Sequence, residues 1–248
     1  MALDLEAFAR TRCYAYHLTS SGNLRAILNG RRIDCAATLI VKGGRGELLR
    51  HRRSRHEVVH VGGSDIWLRD QAPLHQRNLV LSSGWEFADL VEVLNRHVFF
   101  WPGTESGPND YGLRHFSRYA LERPVLIRVR TSELLDANSE SSVELCRYNS
   151  GSPRYSGGRA SPRGPDTFVS AASFNGPPSK VVELVFRDSA MLPAALQVGT
   201  NPTGPWCTAS DCRDVPSNTA MEPSAPAQSS VPRLIARRWA DKGEPEGQ

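Results

Sequence analysis

The stretch "YHLTSSGNLRAILNGRRI", Tyr16–Ile33, decides how the rest of the chain is read. It closes a strand, opens and ends a short helix, and starts the next extended segment. Just upstream, "CYAYHLT" alternates, which places Cys13, Ala15, His17 and Thr19 on one strand face and Tyr14, Tyr16 and Leu18 on the other. Ser20 or Ser21 can cap the helix, in which Leu24, Ile27 and Leu28 recur at helical spacing. Gly30 is the expected stop, because glycine enters the left-handed conformation without steric cost. Period-two geometry points His17 and Thr19 the same way, roughly 7 Å apart. Such a pair can donate to and accept from the hydroxyls or amide of one small ligand. The same two residues also suit plainer roles, a histidine satisfied by backbone and a threonine chosen for β propensity.

The surrounding composition bounds the answer. The chain has 248 residues, 40% apolar and 23% charged, enough for one sizeable core with flanking polar segments. Net charge is +4, mildly basic and compatible with a polyanionic partner without demanding one. Of the 30 basic residues only Lys42, Lys180 and Lys242 are lysines, a bias that partly reflects genome base composition. Five scattered cysteines (Cys13, Cys35, Cys146, Cys207 and Cys212) suggest reduced thiols rather than a disulfide framework. "MALDLEAFARTRCYAY" carries acids and arginines where a secretory signal needs an apolar run, and no window approaches eighteen consecutive apolar residues. A soluble cytoplasmic protein is the expectation.

Working outward, residues 2–11 suit a short leading helix. "KGGRGELLRHRRSRHEVVHVGG" is Gly-rich and basic without a period, and reads as a long loop. "SDIWLRDQAPL" reads as a short strand or turn. In "WEFADLVEVLNRHVFFW", Phe87, Leu90, Val91 and Leu94 mark an amphipathic helix, and Val98–Trp101 a buried strand. A second helix is expected after Asn109 or Asp110 with Leu113, Phe116 and Ala120 inward. "PVLIRVR" sets Val125, Ile127 and Val129 against Arg128 and Arg130, a half-buried strand, after which Ser132 can cap a brief turn. "SVELC" suits another strand, residues 147–164 a loop, and "SKVVELVFR" the last clear strand. Residues 1–199 therefore read as one α+β domain. Residues 200–248, rich in Pro, Ser, Thr and Ala, read as a largely disordered tail with a short helix at "VPRLIARRWADK".

Three places could carry chemistry. Glu183 is an acid inside an apolar β-branched run, costly to bury without a partner. It suits a solvated edge strand, a pair with an arginine, or a carboxylate held in a cleft against developing positive charge. Arg69, in "DIWLRDQAPL", can grip a phosphate through its fork of donors, or pair with Asp70 at the surface. "RHRRSRH", Arg50–His56, is the best phosphate-contact candidate in the basic Lys42–His56 loop, although it lacks aromatic interleaving. "GGRG" lacks the setting of a phosphate loop, and Cys207 with Cys212 lacks the second pair a zinc site needs. No metal site is expected.

Taken in order, "YHLTSSGNLRAILNGRRI", "LRDQAPL" and "SKVVELVFRDSAMLP" resemble the DarT-type ADP-ribosyltransferases, with a His-x-Thr strand, an arginine motif and a terminal glutamate strand. "LVEVLNRHVFFWPG", "YNSGS" and "RGPDTF" are similar still more closely to an uncharacterised bacterial family related to those enzymes. The resemblance covers residues 14–196. It implies an ADP-ribosyltransferase-like α+β fold, two short sheets forming a cleft for NAD as co-substrate. Carried over by position, Glu183 would be the catalytic acid and Arg69 would steady the diphosphate or acceptor. His17, Thr19 and Asn23, with Asn149 and Ser150, would line the cofactor site, although Asn149 also suits a plain turn. The implied activity is transfer of ADP-ribose to a macromolecule, a DNA base among the candidates, by a toxin or defence effector. Nucleic acid would then bind the Lys42–His56 loop, and an antitoxin or immunity protein would be a partner. The alternative is a non-catalytic nucleotide- or nucleic-acid-binding module on the same fold.

Overall fold

The computed structural model describes residues 2–155 and 157–210, all within the first of two units that divide after Ser217. The expected "VPRLIARRWADK" helix lies outside the described residues. In chain order the elements are α1 (Leu5–Thr11), β1 (Tyr14–Thr19), α2 (Ser21–Gly30), β2 (Arg32–Asp34), α3 (Ala36–Lys42), β3 (Glu57–Val61) and β4 (Ser64–Leu68). Then come β5 (Leu79–Leu81), α4 (Phe87–Asn95), β6 (His97–Thr104), β7 (Gly107–Pro108), α5 (Asp110–Tyr119), β8 (Val125–Arg130) and α6 (Thr131–Asp136). The series ends with β9 (Val143–Cys146), β10 (Ser161–Arg163), β11 (Glu183–Arg187), β12 (Ser189–Met191), β13 (Leu196–Gly199) and β14 (Cys207–Thr208). The architecture is mixed α+β. No helix among the described residues is long and apolar enough to cross a membrane.

One main sheet runs β14-β13-β8-β1-β6-β11-β9, with β7 folded back on β6, and three two-stranded sheets flank it. The ladders of the main sheet are antiparallel. Its continuity changes hands along β6. The second half of β6 pairs with β1, Tyr16 opposite Trp101 and Tyr14 opposite Gly103. The first half pairs with β11, Leu184 opposite Phe100 and Phe186 opposite Val98. From His17 onward β1 keeps its ladder only with β8, and Glu183 keeps its own only with Cys146 of β9. The sheet therefore consists of two half-sheets that part at β6, and the parting leaves His17 on one flank and Glu183 on the other.

Apolar side chains on alternate strand positions build the core. Phe8, Ala15, Phe100, Ile127, Leu184 and Phe186 form the main cluster. Leu90 and Val91 of α4 pack with Cys146, Phe168 and Val185 in a second, and Leu18, Trp101, Tyr119 and Leu126 form a third. Both faces of the central strands are covered, so their sequences run nearly without exposed positions.

Several local expectations are corrected. Helix α2 ends on Arg31, which takes the left-handed conformation (φ 45°), and its N–H donates to the Ile27 carbonyl; Gly30 stays helical. Helix α6 starts at Thr131 with no side-chain cap, so Ser132 does not serve as one. Leu113 of α5 is exposed, while Gly112 and Tyr119 are the buried positions. Arg128 is buried rather than solvated. Its guanidinium lies between the rings of Tyr14 (4.4 Å) and Trp206 (4.3 Å) and donates to Gln197 Oε1. The same Trp206 and the β13–β14 ladder carry the fold past Gly199.

The largest correction concerns residues 42–63. Instead of a long loop, the chain finishes α3, makes a 3-10 turn and forms β3, which pairs with β4, the short strand expected at "SDIWLRDQAPL", in a hairpin. Its two-residue turn is Gly62-Gly63, both at positive φ (58° and 78°), which only glycine adopts without strain. Arg50, Arg52 and Arg53 make contacts within the fold, while Arg55 stays exposed, 3.8 Å from Glu57. Arg50 pairs with Asp89 (2.8 Å) and Glu92 (2.9 Å) of α4, and Arg52 donates to the carbonyls of Gln71 and Ala72. Arg53 is buried, with Nε on the Arg69 carbonyl (3.0 Å) and Nη1 on Asn95 Oδ1 (2.8 Å). Burial pulls its pKa down to about 10.

Candidate functional site

Glu183 opens β11, an interior strand, so the edge-strand alternative is excluded. The residue is 2% exposed. Its Oε1 accepts from the Ser150 N–H (3.2 Å), and its Oε2 is buried with no partner. Burial raises its pKa to about 7, held from rising further by the Ser150 hydroxyl and N–H, Arg163 and the Cys146 thiol. Ser150 Oγ lies at the carboxylate without closing a hydrogen bond of normal geometry. In turn the neighbouring carboxylate and, above all, burial push the Cys146 thiol up, so it stays protonated.

The start of β11 is held by α5. Asn109 caps that helix, its Oδ1 accepting from the Tyr111 and Gly112 N–H groups (3.1 Å each), while its Nδ2 donates to the Val182 carbonyl (2.8 Å). Val182 N–H in turn donates to Cys146 O. One side chain thus fastens the helix to the residue preceding the carboxylate, and the Asn109 N–H donates to Pro102 O of β6.

On the other flank, His17 Nδ1 lies 2.9 Å from the Phe99 carbonyl. A carbonyl only accepts, so Nδ1 carries the proton and Nε2 is left as an acceptor. Burial, with Arg69 nearby, lowers the His17 pKa to about 4. Phe99 itself pairs with Val185 of β11, so the histidine bonds to the strand that separates it from Glu183. His115 of α5 completes this cluster. Its ring packs on Trp101 (4.5 Å) and Tyr119 (4.9 Å), and burial, Arg69, Arg118 and His17 lower its pKa to about 3. Trp101 Nε1 is buried without a partner.

Arg69 stacks over the Tyr119 ring (4.3 Å) and pairs with Glu122 (3.3 Å), not with Asp70. Tyr119 donates to Asp70 (3.1 Å), and His56 reaches Glu122 (3.0 Å), so the arginine sits within a hydrogen-bonded charge network. Asn23 donates to Thr19 Oγ1 (3.4 Å) and the Trp67 carbonyl (2.8 Å), and accepts from Trp67 N (2.8 Å). Both its amide hydrogens are engaged; it pins the β3–β4 hairpin to α2 and leaves no donor for a ligand. Thr19 is buried under it. Asn149 supplies its carbonyl to Ser152 N and to Arg163, a turn role, and thereby positions Ser150.

The structure therefore brings His17, Thr19 and Arg69 together on one flank of β6, and Glu183, Ser150 and Asn149 on the other. Sequence reasoning missed His115, Trp101, Asn109, Cys146 and Arg163. Only Asn109 carried a local signal, as a helix cap; the others lie in helices, strands or a Ser/Gly-rich run where nothing marks them. Four buried polar atoms without partners, Glu183 Oε2, Ser150 Oγ, Arg163 Nε and Trp101 Nε1, belong to these flanks. Native interiors leave few such groups.

Residues 14–196 match the model of a family of unknown function, DUF7002, and the chain belongs to that family. No curated protein and no solved structure matches the chain.

Proposed function

We propose that this member of the DUF7002 family is an ADP-ribosyltransferase that cleaves NAD at the bond between nicotinamide and ribose. The observation that carries the reading is Glu183: a fully enclosed carboxylate at a parting of two half-sheets, poised near neutrality with one oxygen unsatisfied. Heterolysis of that bond sends its electron pair to nicotinamide and leaves an oxocarbenium-like ribose. A desolvated carboxylate facing the ribose stabilises that charge and orients a hydroxyl. Neutral His17 offers Nε2 to a ribose hydroxyl or amide hydrogen, and Trp101 offers an N–H. Arg69 would steady the diphosphate while sharing its charge with Glu122. The macromolecular acceptor, with a DNA base among the candidates, attacks the ribose carbon and completes transfer.

Arg69 paired with Glu122, and Asn23 engaged with Trp67, favour a second reading: the same residues as a nucleotide-binding module without turnover. The two separate on one measurement. Incubated with NAD and a mixture of DNA, RNA and protein acceptors, the transferase releases nicotinamide, and the folded Glu183→Gln variant does not. Binding of NAD with no nicotinamide released supports the module. Undiminished release by folded Glu183→Gln removes Glu183 from the chemistry.

A further inference from the structure

Arg163 is the one side chain beside Glu183 whose charge the reading above leaves unused. We propose that Arg163 is a positioning residue for Glu183: its guanidinium fastens the Tyr148–Ser150 loop against the carboxylate and supplies the positive charge against which that carboxylate ionises. This deepens the transferase reading, on which it rests for its functional meaning.

The residue ends β10, between Pro162 and Gly164, and is 3% exposed. Nη2 donates to the Asn149 carbonyl (3.0 Å), and Nη1 to Ser161 Oγ and the Pro162 carbonyl (2.7 Å each). The guanidinium lies 4.6 Å from the centre of the Tyr148 ring. Every acceptor it contacts is neutral, and among the described residues no carboxylate lies within ion-pair distance of it. A buried cation without an ion pair is costly, so something other than local packing should be balancing it. The one carboxylate that acts on it is Glu183, beside the Cys146 thiol and the Tyr148 side chain. Seen from Glu183, the facing groups are Cys146 from β9, Ser150 from the loop and Arg163. Arg163 is the sole cation among them. Its Nε is buried and unpartnered, as are Ser150 Oγ and Glu183 Oε2. Fastening alone explains Nη1 and Nη2; it explains neither the absent counter-ion nor the free Nε.

The test needs no catalysis, so its failure is separable from failure of the enzyme reading. Denaturant unfolding of the full chain is compared at pH 5.5 and pH 9 for wild type, Arg163→Met, Glu183→Gln and the double variant. The Glu183 midpoint is read by carboxyl NMR, with Glu183→Gln assigning the signal. Expected are a midpoint raised by at least one pH unit in Arg163→Met, about a fivefold loss of ionised carboxylate at pH 7 for a one-unit rise from about 7, and a destabilisation larger at pH 9 than at pH 5.5. That pH dependence should vanish in the Glu183→Gln background. If Arg163→Met fails to fold while the double variant folds, the charge relation is supported. A midpoint within 0.3 pH units of wild type in folded Arg163→Met, equal destabilisation at both pH values, or failure of both variants to fold would each overturn it.

Discussion

Glu183 and His17 titrate in opposite senses, and the signs make separate predictions. Glu183 has a folded pKa of about 7, above its ordinary value of 4.5. Its neutral form is favoured by the fold, so its contribution is full below pH 4.5 and is lost as pH rises through 7. Glu183→Gln should therefore stabilise the protein above pH 8 by on the order of 3 kcal/mol, with the gain disappearing near pH 4.5. Chemical denaturation at pH 5 and pH 8.5 checks this; a variant less stable at both would contradict the buried-charge account. Activity, where it depends on the ionised carboxylate, should rise through pH 7. His17 and His115 lie below their ordinary 6.5, at about 4 and 3. Their neutral forms are favoured, so that stability is complete above 6.5 and is lost as pH falls toward 4. Unfolding across that window should release fewer protons than an acid-only ledger predicts, because two histidines take protons up. Potentiometric titration of unfolding at pH 5 measures it, and His115→Gln should remove one of the two uptakes.

At the scale of elements, α5 sets the site. A side chain on Gly112 would place its Cβ 2.9 Å from Trp101 Cβ and Cγ and 2.8 Å from Pro108 Cβ. None of these is the free end of a flexible chain. Alanine normally gains about 1 kcal/mol over glycine inside a helix, but overpacking of about 1–3 kcal/mol opposes it here. Gly112→Ala should be net destabilising and should shift the Trp101 fluorescence; a stabilised variant would mean that α5 does not ride so close on β6. Asn109→Ala removes a cap and the bond to Val182 together, and should cost about 2 kcal/mol. Its diagnostic readout is faster amide exchange at the start of β11, which loss of a cap alone would not produce. Helix α2 shows the limit of local reading. Its apolar spacing and Ser20 cap were legible, whereas its end was not, because Gly30 and Arg31 both fit the local rules and the chain's path into β2 selects Arg31.

For the molecule as a whole, Arg50, Arg52 and Arg53 of the basic stretch that invited a nucleic-acid partner are engaged within the fold, while Arg55 is exposed. Arg53 bonds to Arg69 O and Asn95, and Arg50 to α4. Arg53→Met should cost about 2–4 kcal/mol by stranding buried acceptors. Neutralising Arg50, Arg52, Arg53 and Arg55 together should unfold the protein in a thermal melt before any salt dependence of binding can be read. A folded quadruple variant would return the loop to solvent and to phosphate contacts. Residues 200–210 belong to the fold through Trp206, stacked on Arg128, and the β13–β14 ladder. Trp206→Ala should lower stability by about 2–3 kcal/mol in denaturant unfolding.

What the sequence by itself determined were the features set by short-range physics. The β1, α4, β6, β8, β9 and β11 segments follow from apolar period and burial, and the α+β class follows from their order. Glu183 was visible because a lone acid in a β-branched run has few inexpensive places to sit. The tertiary structure decided everything that depends on non-local pairing. It decided that the sheet parts at β6, that Asn23 serves a hairpin rather than a ligand, that Arg69 meets Glu122, and that Arg163 lies behind Glu183. A charge is written in the sequence, but the partner that fixes its worth is chosen by residues tens of positions away, through burial and distance.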